Sequence, residues 1–157
     1  MELDQDFNEF VQLLLANKVR FLIIGGYALA AHGAPRYTGH LDTWLWIGSD
    51  NARRVLVALE SFGFGSLNIT REDLLTPDTV IQLGYPPHRI DLLTGIDGVD
   101  FGDAWSRHVE FDINGVQVPF VSREDLITNK KALARPQDLA DVAKLEEKAT
   151  AEESGLT

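Results

Sequence analysis

The stretch from Arg20 to Ile47 reads RFLIIGGYALAAHGAPRYTGHLDTWLWI, and its order of residue types decides the fold. Phe21 to Ile24 is an unbroken apolar run of strand length ending on Gly25-Gly26, which predicts a buried strand with a tight exit. Tyr27 to His32 predicts a short helix, closed by Gly33 and Pro35. His40 to Ile47 predicts a second strand. In it, alternation puts His40, Asp42, Trp44 and Trp46 on one face and Leu41, Thr43, Leu45 and Ile47 on the other. A strand, two glycines, a small helix and an acid on the next strand would set backbone N–H groups opposite carboxylates. Such a cleft suits a phosphate chain held through metal.

Working outward, Phe7, Phe10, Val11, Leu14 and Leu15 recur at helical spacing between Asp6 and Asn17, so a helix precedes the first strand. After the second strand, Ser49-Asp50-Asn51 offers cap side chains to a helix striped by Val55, Leu56 and Leu59, which Gly63 and Gly65 stop. A further helical turn is expected over Arg71 to Leu75. Val80 to Leu83 and Arg89 to Leu93 flank the turn Tyr85-Pro86-Pro87-His88, a hairpin that would lie beside the first two strands and carries Asp91. Val109 to Ile113 and Val116 to Val121 flank Asn114-Gly115, a second hairpin expected at a sheet edge. Ser122 followed by Asp125 is a capping-box arrangement for a helix to about Leu133. Pro136 opens the last helix, striped by Leu139, Val142, Ala143 and Leu145. The expected domain is residues 1–148, with 149–157 a frayed or disordered tail.

A chain of 157 residues without internal repeats is read as one α/β domain with a sizeable core. It has no cysteine, which excludes disulfides and thiolate metal sites. No apolar stretch exceeds strand length and no basic segment leads into an apolar one, so a soluble cytoplasmic protein is expected, with no membrane partner. The 24 acidic and 14 basic residues set the formal charge at −10. That balance disfavours broad electrostatic binding of DNA or RNA, while a local basic patch could still hold tRNA.

At Ile24-Gly25-Gly26, thirteen residues and then His40-Leu41-Asp42, the chain resembles the nucleotidyltransferases of the DNA polymerase beta superfamily. Members carry an apolar residue, Gly, then Gly or Ser, and after about nine to thirteen residues an Asp-apolar-Asp pair. Their third acid is matched by Asp91 in Arg89-Ile90-Asp91-Leu92-Leu93. The similarity extends from about Phe7 to about Glu146, and is strongest to small bacterial proteins of toxin–antitoxin and abortive-infection systems. It implies the nucleotidyltransferase fold, a mixed twisted sheet flanked by helices with helices at the C-terminus. It also implies Mg²⁺, or Mn²⁺, on Asp42 and Asp91, with His40 where the first carboxylate belongs. Two ions would activate the attacking hydroxyl and stabilise the leaving pyrophosphate.

Beside these implications stand plainer readings. Gly25-Gly26 could meet a triphosphate or simply turn the chain. Asp42 and Asp91 interrupt apolar strands, where an unpaired carboxylate is costly, so they ligate metal or pair with Arg36 or Arg89. Arg36 and Thr38 face the nucleotide in this branch, or order their loop. Lys130 and Lys131 reach the triphosphate, Lys130 being placed as the family's lysine is, or sit on a solvated helix face. Asp138 and Asp141 share a helix face and would orient Lys130 or Arg135. One tryptophan stacks on a base, or both pack in the core. Imidazole for carboxylate at His40 removes a hard donor and a negative charge that Mg²⁺ prefers. The resemblance thus implies transfer of a nucleoside monophosphate from a nucleoside triphosphate to a protein or RNA hydroxyl, impaired by His40. The competing expectation is an inactive member acting as an antitoxin or interaction module.

Overall fold

In the computed structural model, residues 1–155 are described. Helix α1 (Gln5–Ala16) begins where the Asp4 side chain accepts the Phe7 N–H at 3.0 Å, and it buries Phe7, Phe10, Val11 and Leu14. This stripe packs against α3 (Ser49–Phe62), with Phe10 edge-on to Phe62 at 5.4 Å. Between them the chain lays down β1 (Phe21–Ile24), buried at every position, then α2 (Gly25–Ala31) and β2 (His40–Leu45). Helix α3 ends at Gly63, whose φ of 99° is the left-handed conformation glycine adopts without a Cβ penalty. Asn51 does not cap α3. Its amide accepts from Arg20 N and donates to Arg20 O and Trp46 O, tying the ends of β1 and β2 to the helix.

Helix α4 (Arg71–Leu75) has a complete capping box from Thr70 and Asp73. Then follow β3 (Val80–Leu83), β4 (Arg89–Leu93), α5 (Phe101–Arg107), β5 (Val109–Ile113), β6 (Val116–Phe120), α6 (Arg123–Leu133) and α7 (Pro136–Glu153). The six strands form one mixed sheet in the order β3-β4-β2-β1-β6-β5. β1 runs antiparallel to β2, and β2 runs parallel to β4 with Asp42 opposite Asp91. Helices α6 and α7 pack on each other, and α2 bridges β2 to α6.

Several expectations change. The second hairpin is not wholly at an edge, because β6 pairs with β1 in parallel at Ile23 and Phe120, leaving β5 as the edge. Residues 118–120 are buried in succession, as an interior strand requires, whereas β5 alternates. The glycine pair does not form a loop but opens α2, with Gly25 at φ 70°. Helix α5 escapes prediction because seven residues give no helical period; its start rests on Asp100 accepting Asp103 N–H. At Ser122 only half of the capping box forms, since Asp125 turns its carboxylate to Arg107 at 2.8 Å. The segment expected to fray from Ala149 is helical as far as Glu153, where Glu152 meets Arg123; Leu156 and Thr157 lie outside the described residues.

No helix is long and apolar enough to cross a membrane among the described residues.

Candidate active site

The sheet brings three ligand-type side chains together at the start of β2 and β4. Parallel pairing sets Asp42 and Asp91 side by side, and alternation along β2 puts His40 on the same face. One ligand atom from each of His40, Asp42 and Asp91 lies within 4.8 Å of the others, a spacing that would suit one divalent ion. His40 Nε2 is 3.3 Å from Asp42 Oδ2 and 4.0 Å from Asp91 Oδ2. The hydrogen bond to Asp42 is the main reason its imidazole holds a proton above the usual histidine range.

Arg89, two residues before Asp91 on the same face, donates to both of its oxygens, Nε at 2.9 Å and Nη2 at 3.0 Å. This fork was the salt-bridge alternative for Asp91, and the structure contains it. Burial nonetheless pushes the Asp91 carboxyl above the usual range, with Asp42 beside it adding to the rise. With His40 protonated, two carboxylates face an imidazolium and a guanidinium, so the cluster is charge-balanced by its own side chains.

Gly25 abuts this cluster. A Cβ there would collide with Asp42 Oδ2, and φ 70° is strained for any other residue. Gly26 is equally constrained from the other side, where a Cβ would sit 2.7 Å from Thr38 Cβ. The glycines therefore let α2 start in van der Waals contact with β2 and its preceding loop. Thr38 Oγ1 in turn donates to His40 O at 3.0 Å.

A cavity of about 270 Å³ opens next to Asp42. Gly25, Asp42, Asp97, Asn129, Lys130 and Arg135 are among its lining. The cleft thus joins Gly25 and Asp42 to Lys130, while His40 and Asp91 adjoin it only through Asp42, and Gly26, Arg36 and Thr38 are outside its wall. Sequence reasoning passed over Asp97 and Asn129, which adjoin because Asn129 Nδ2 donates to Asp97 O at 2.9 Å. Their signal would have been the polar Gly95-Ile96-Asp97-Gly98 turn directly after the strand carrying Asp91.

Lys130 is not on a solvated face. It is 4% exposed, and its Nζ lies 3.3 Å from Asp138 and 3.2 Å from Asp141, themselves 0% and 2% exposed. Arg135 forks onto Asp138, and Arg36 forks onto Asp141 through Nε and Nη2, both at 3.1 Å. Arg135, assisted by Lys130, holds Asp138 below the usual carboxylate range. Burial pushes Asp141 the other way, but hydrogen bonds from Arg36, Gln137 and Lys130 outweigh it and keep that carboxyl low as well. Lys131 points elsewhere, to Glu146 at 3.1 Å. Trp44 is buried edge-on to Phe101 at 5.0 Å, and Trp46 remains 39% exposed.

No family model and no curated protein matches the sequence. Solved structures do match. The lincosamide antibiotic adenylyltransferase LnuA, determined with lincomycin bound, superposes with a TM-score of 0.55 at 13% identity, covering 92% of this chain and 96% of that one. A Thermotoga maritima protein assigned as a nucleotidyltransferase gives 0.56 at 15% identity over 94% and 91% of the two chains. ANT(2")-Ia, in complex with adenylyl-2"-tobramycin, gives 0.53 at 13% identity over 96% and 97%. At these identities the likeness speaks for architecture, and it is to three proteins of one architecture over nearly the whole chain. The chain has the nucleotidyltransferase fold.

Proposed function

We propose that this protein binds a nucleoside triphosphate in the cavity beside Asp42 and transfers its nucleoside monophosphate to an acceptor hydroxyl, with His40 lowering the rate. The observation that carries the reading is the juxtaposition of Asp42 and Asp91 on adjacent parallel strands, with Gly25 packed against Asp42 and the cavity running on to Lys130.

Two carboxylates and an imidazole fit one divalent ion, and a donor set containing nitrogen suits Mn²⁺ better than Mg²⁺. Asp42, Asp91 and His40 would hold it, once His40 gives up its proton and Arg89 yields an oxygen of Asp91. Bound there, a divalent ion supplies charge to the phosphoryl oxygens and polarises them. Gly25 lets Asp42 pack against the backbone in the cavity wall, and Lys130 and Arg135, held by Asp138 and Asp141, line the same cavity and would turn toward the phosphates. The acceptor oxygen attacks the α-phosphorus, the bond from that phosphorus to its bridging oxygen breaks, and pyrophosphate leaves. The hydroxyl proton passes to a carboxylate of the cluster, Asp42 or Asp91.

A second reading is favoured by the charge-balanced cluster: Arg89 and His40 already neutralise the carboxylates, as in a nucleotide-fold protein that serves as an antitoxin or other interaction module. Labelled nucleoside triphosphate incubated with the protein, Mn²⁺ or Mg²⁺ and a lysate separates the two. Transfer of label to a protein or RNA band, lost in Asp42→Asn, supports the enzyme. Absence of transfer in both this protein and His40→Asp, under either metal, sinks it.

A further inference from the structure

Seven of the fourteen lysines and arginines have a carboxylate within 4.0 Å among the described residues. Of the rest, five gather around the start of α3: Lys18, Arg20, Arg53, Arg54 and Arg71. In a protein of net charge −10 this is an unneutralised concentration of positive charge. Lys18, Arg20 and Arg54 line a cavity of about 410 Å³, in which Asp50 is the one carboxylate among the described residues. Arg71 reaches its rim through a 2.7 Å hydrogen bond to Ser49 Oγ. Arg54 is steadied by donating to Lys18 O at 3.2 Å, and Arg20 lies over the Trp105 ring at 5.2 Å.

Trp46 completes the wall of the same cavity. An indole left 39% exposed beside four cations is not accounted for by core packing, although its other side rests on Phe101 at 5.5 Å. This region is at the opposite end of β2 from His40, about 20 Å away at about 3.3 Å per residue. It belongs neither to the carboxylate cluster nor to the nucleotide cavity.

We propose that this end of the protein docks single-stranded nucleic acid, with Lys18, Arg20 and Arg54 holding successive phosphates and Trp46 stacking on a base. Unpaired cations around a groove follow a backbone, and an aromatic face among them is what distinguishes a nucleic-acid strand from an acidic peptide or a lone phosphate. The proposal does not depend on the carboxylate site being catalytic.

The test is fluorescence anisotropy with a labelled single-stranded RNA of about ten nucleotides, over a range of salt. Three phosphate contacts at about 0.7 each predict a slope of log affinity on log salt near −2. Lys18→Glu with Arg54→Glu should weaken binding at least tenfold and flatten that slope. Trp46→Leu should weaken it about five- to a hundredfold with the slope unchanged. Arg53→Glu, an exposed position with no ion pair among the described residues, should weaken it severalfold, and keeps the test usable if the double variant does not fold. Asp42→Asn should bind RNA as the parent does. The proposal fails if the slope is near zero, if the basic-end variants bind as the parent does, or if inorganic triphosphate or polyglutamate competes as well as RNA.

Discussion

Replacing Lys130 by methionine tests the buried ion cluster behind the cavity. Methionine keeps most of the side-chain volume and removes the charge, so Asp138 and Asp141, at 0% and 2% exposure, lose a shared cation. Stripping one partner from a buried pair costs about 3–5 kcal/mol. Asp138 keeps the Arg135 fork and Asp141 keeps the Arg36 fork, which puts the expectation at the lower bound, about 3 kcal/mol. For a chain of this length that corresponds to a melting temperature lower by about 6–12 °C. The sign with pH follows from both carboxyls lying below their usual values in the fold. Their contribution is present above the unfolded value of 3.8 and is lost as pH falls through the lower folded values. The gap between the parent and Lys130→Met should therefore be full at neutral pH and narrow as pH drops below about 4. Urea unfolding at a series of pH values measures it, and adding Asp138→Asn to Lys130→Met should recover part of the loss. A deficit below about 1 kcal/mol at pH 7 would show that Lys130 is solvated and that the cluster does not bind α6 to α7.

His40→Asp should raise Mg²⁺-dependent transfer of labelled nucleotide by tenfold or more, each factor of ten being about 1.4 kcal/mol of barrier; equal rates would place His40 outside the reaction. Gly25→Ala should displace Asp42, abolish Mn²⁺ binding in calorimetry and cost about 1–3 kcal/mol of stability, because its Cβ collides with Asp42 and its φ is 70°; unchanged Mn²⁺ affinity would refute the contact. Burial lowers the His32 pKa below 6.5, so the neutral ring that meets Val121 O at 2.8 Å is favoured in the fold. That contribution is present above 6.5 and is lost as pH falls toward the lower folded value, and His32→Gln should flatten the urea midpoint over this window. A midpoint equally pH-dependent in both proteins would assign the effect to other groups.

Much of the architecture was legible in local pattern. The apolar run of β1, the stripe of α1, the Asn114-Gly115 turn and the Ser122 start each follow from spacing within a few residues, so the strands and most helices could be placed. Helix α5 and the interior position of β6 could not, because the first is too short for a period and the second depends on which strand docks beside β1. The site divides in the same way. Asp42, Asp91 and His40 could be singled out because carboxylates in apolar strands are costly and alternation fixes their face. Arg89, two residues from Asp91 on the same face, could also be named as its alternative partner, whereas the long-range partners could not. Lys130 is buried only because α7 folds Asp138 and Asp141 over it, and Arg36 meets Asp141, 105 residues along the chain, for the same reason. The unpaired cations from Lys18 to Arg71 are likewise scattered along the chain. The amino-acid order by itself determined which residues carry chemistry, since residue type and period are local. Which of the candidate charge pairs form, and that Arg36 goes to Asp141, was decided by the tertiary structure, because Coulomb and hydrogen-bond contacts act over a few ångströms that the packed sheet and helices create.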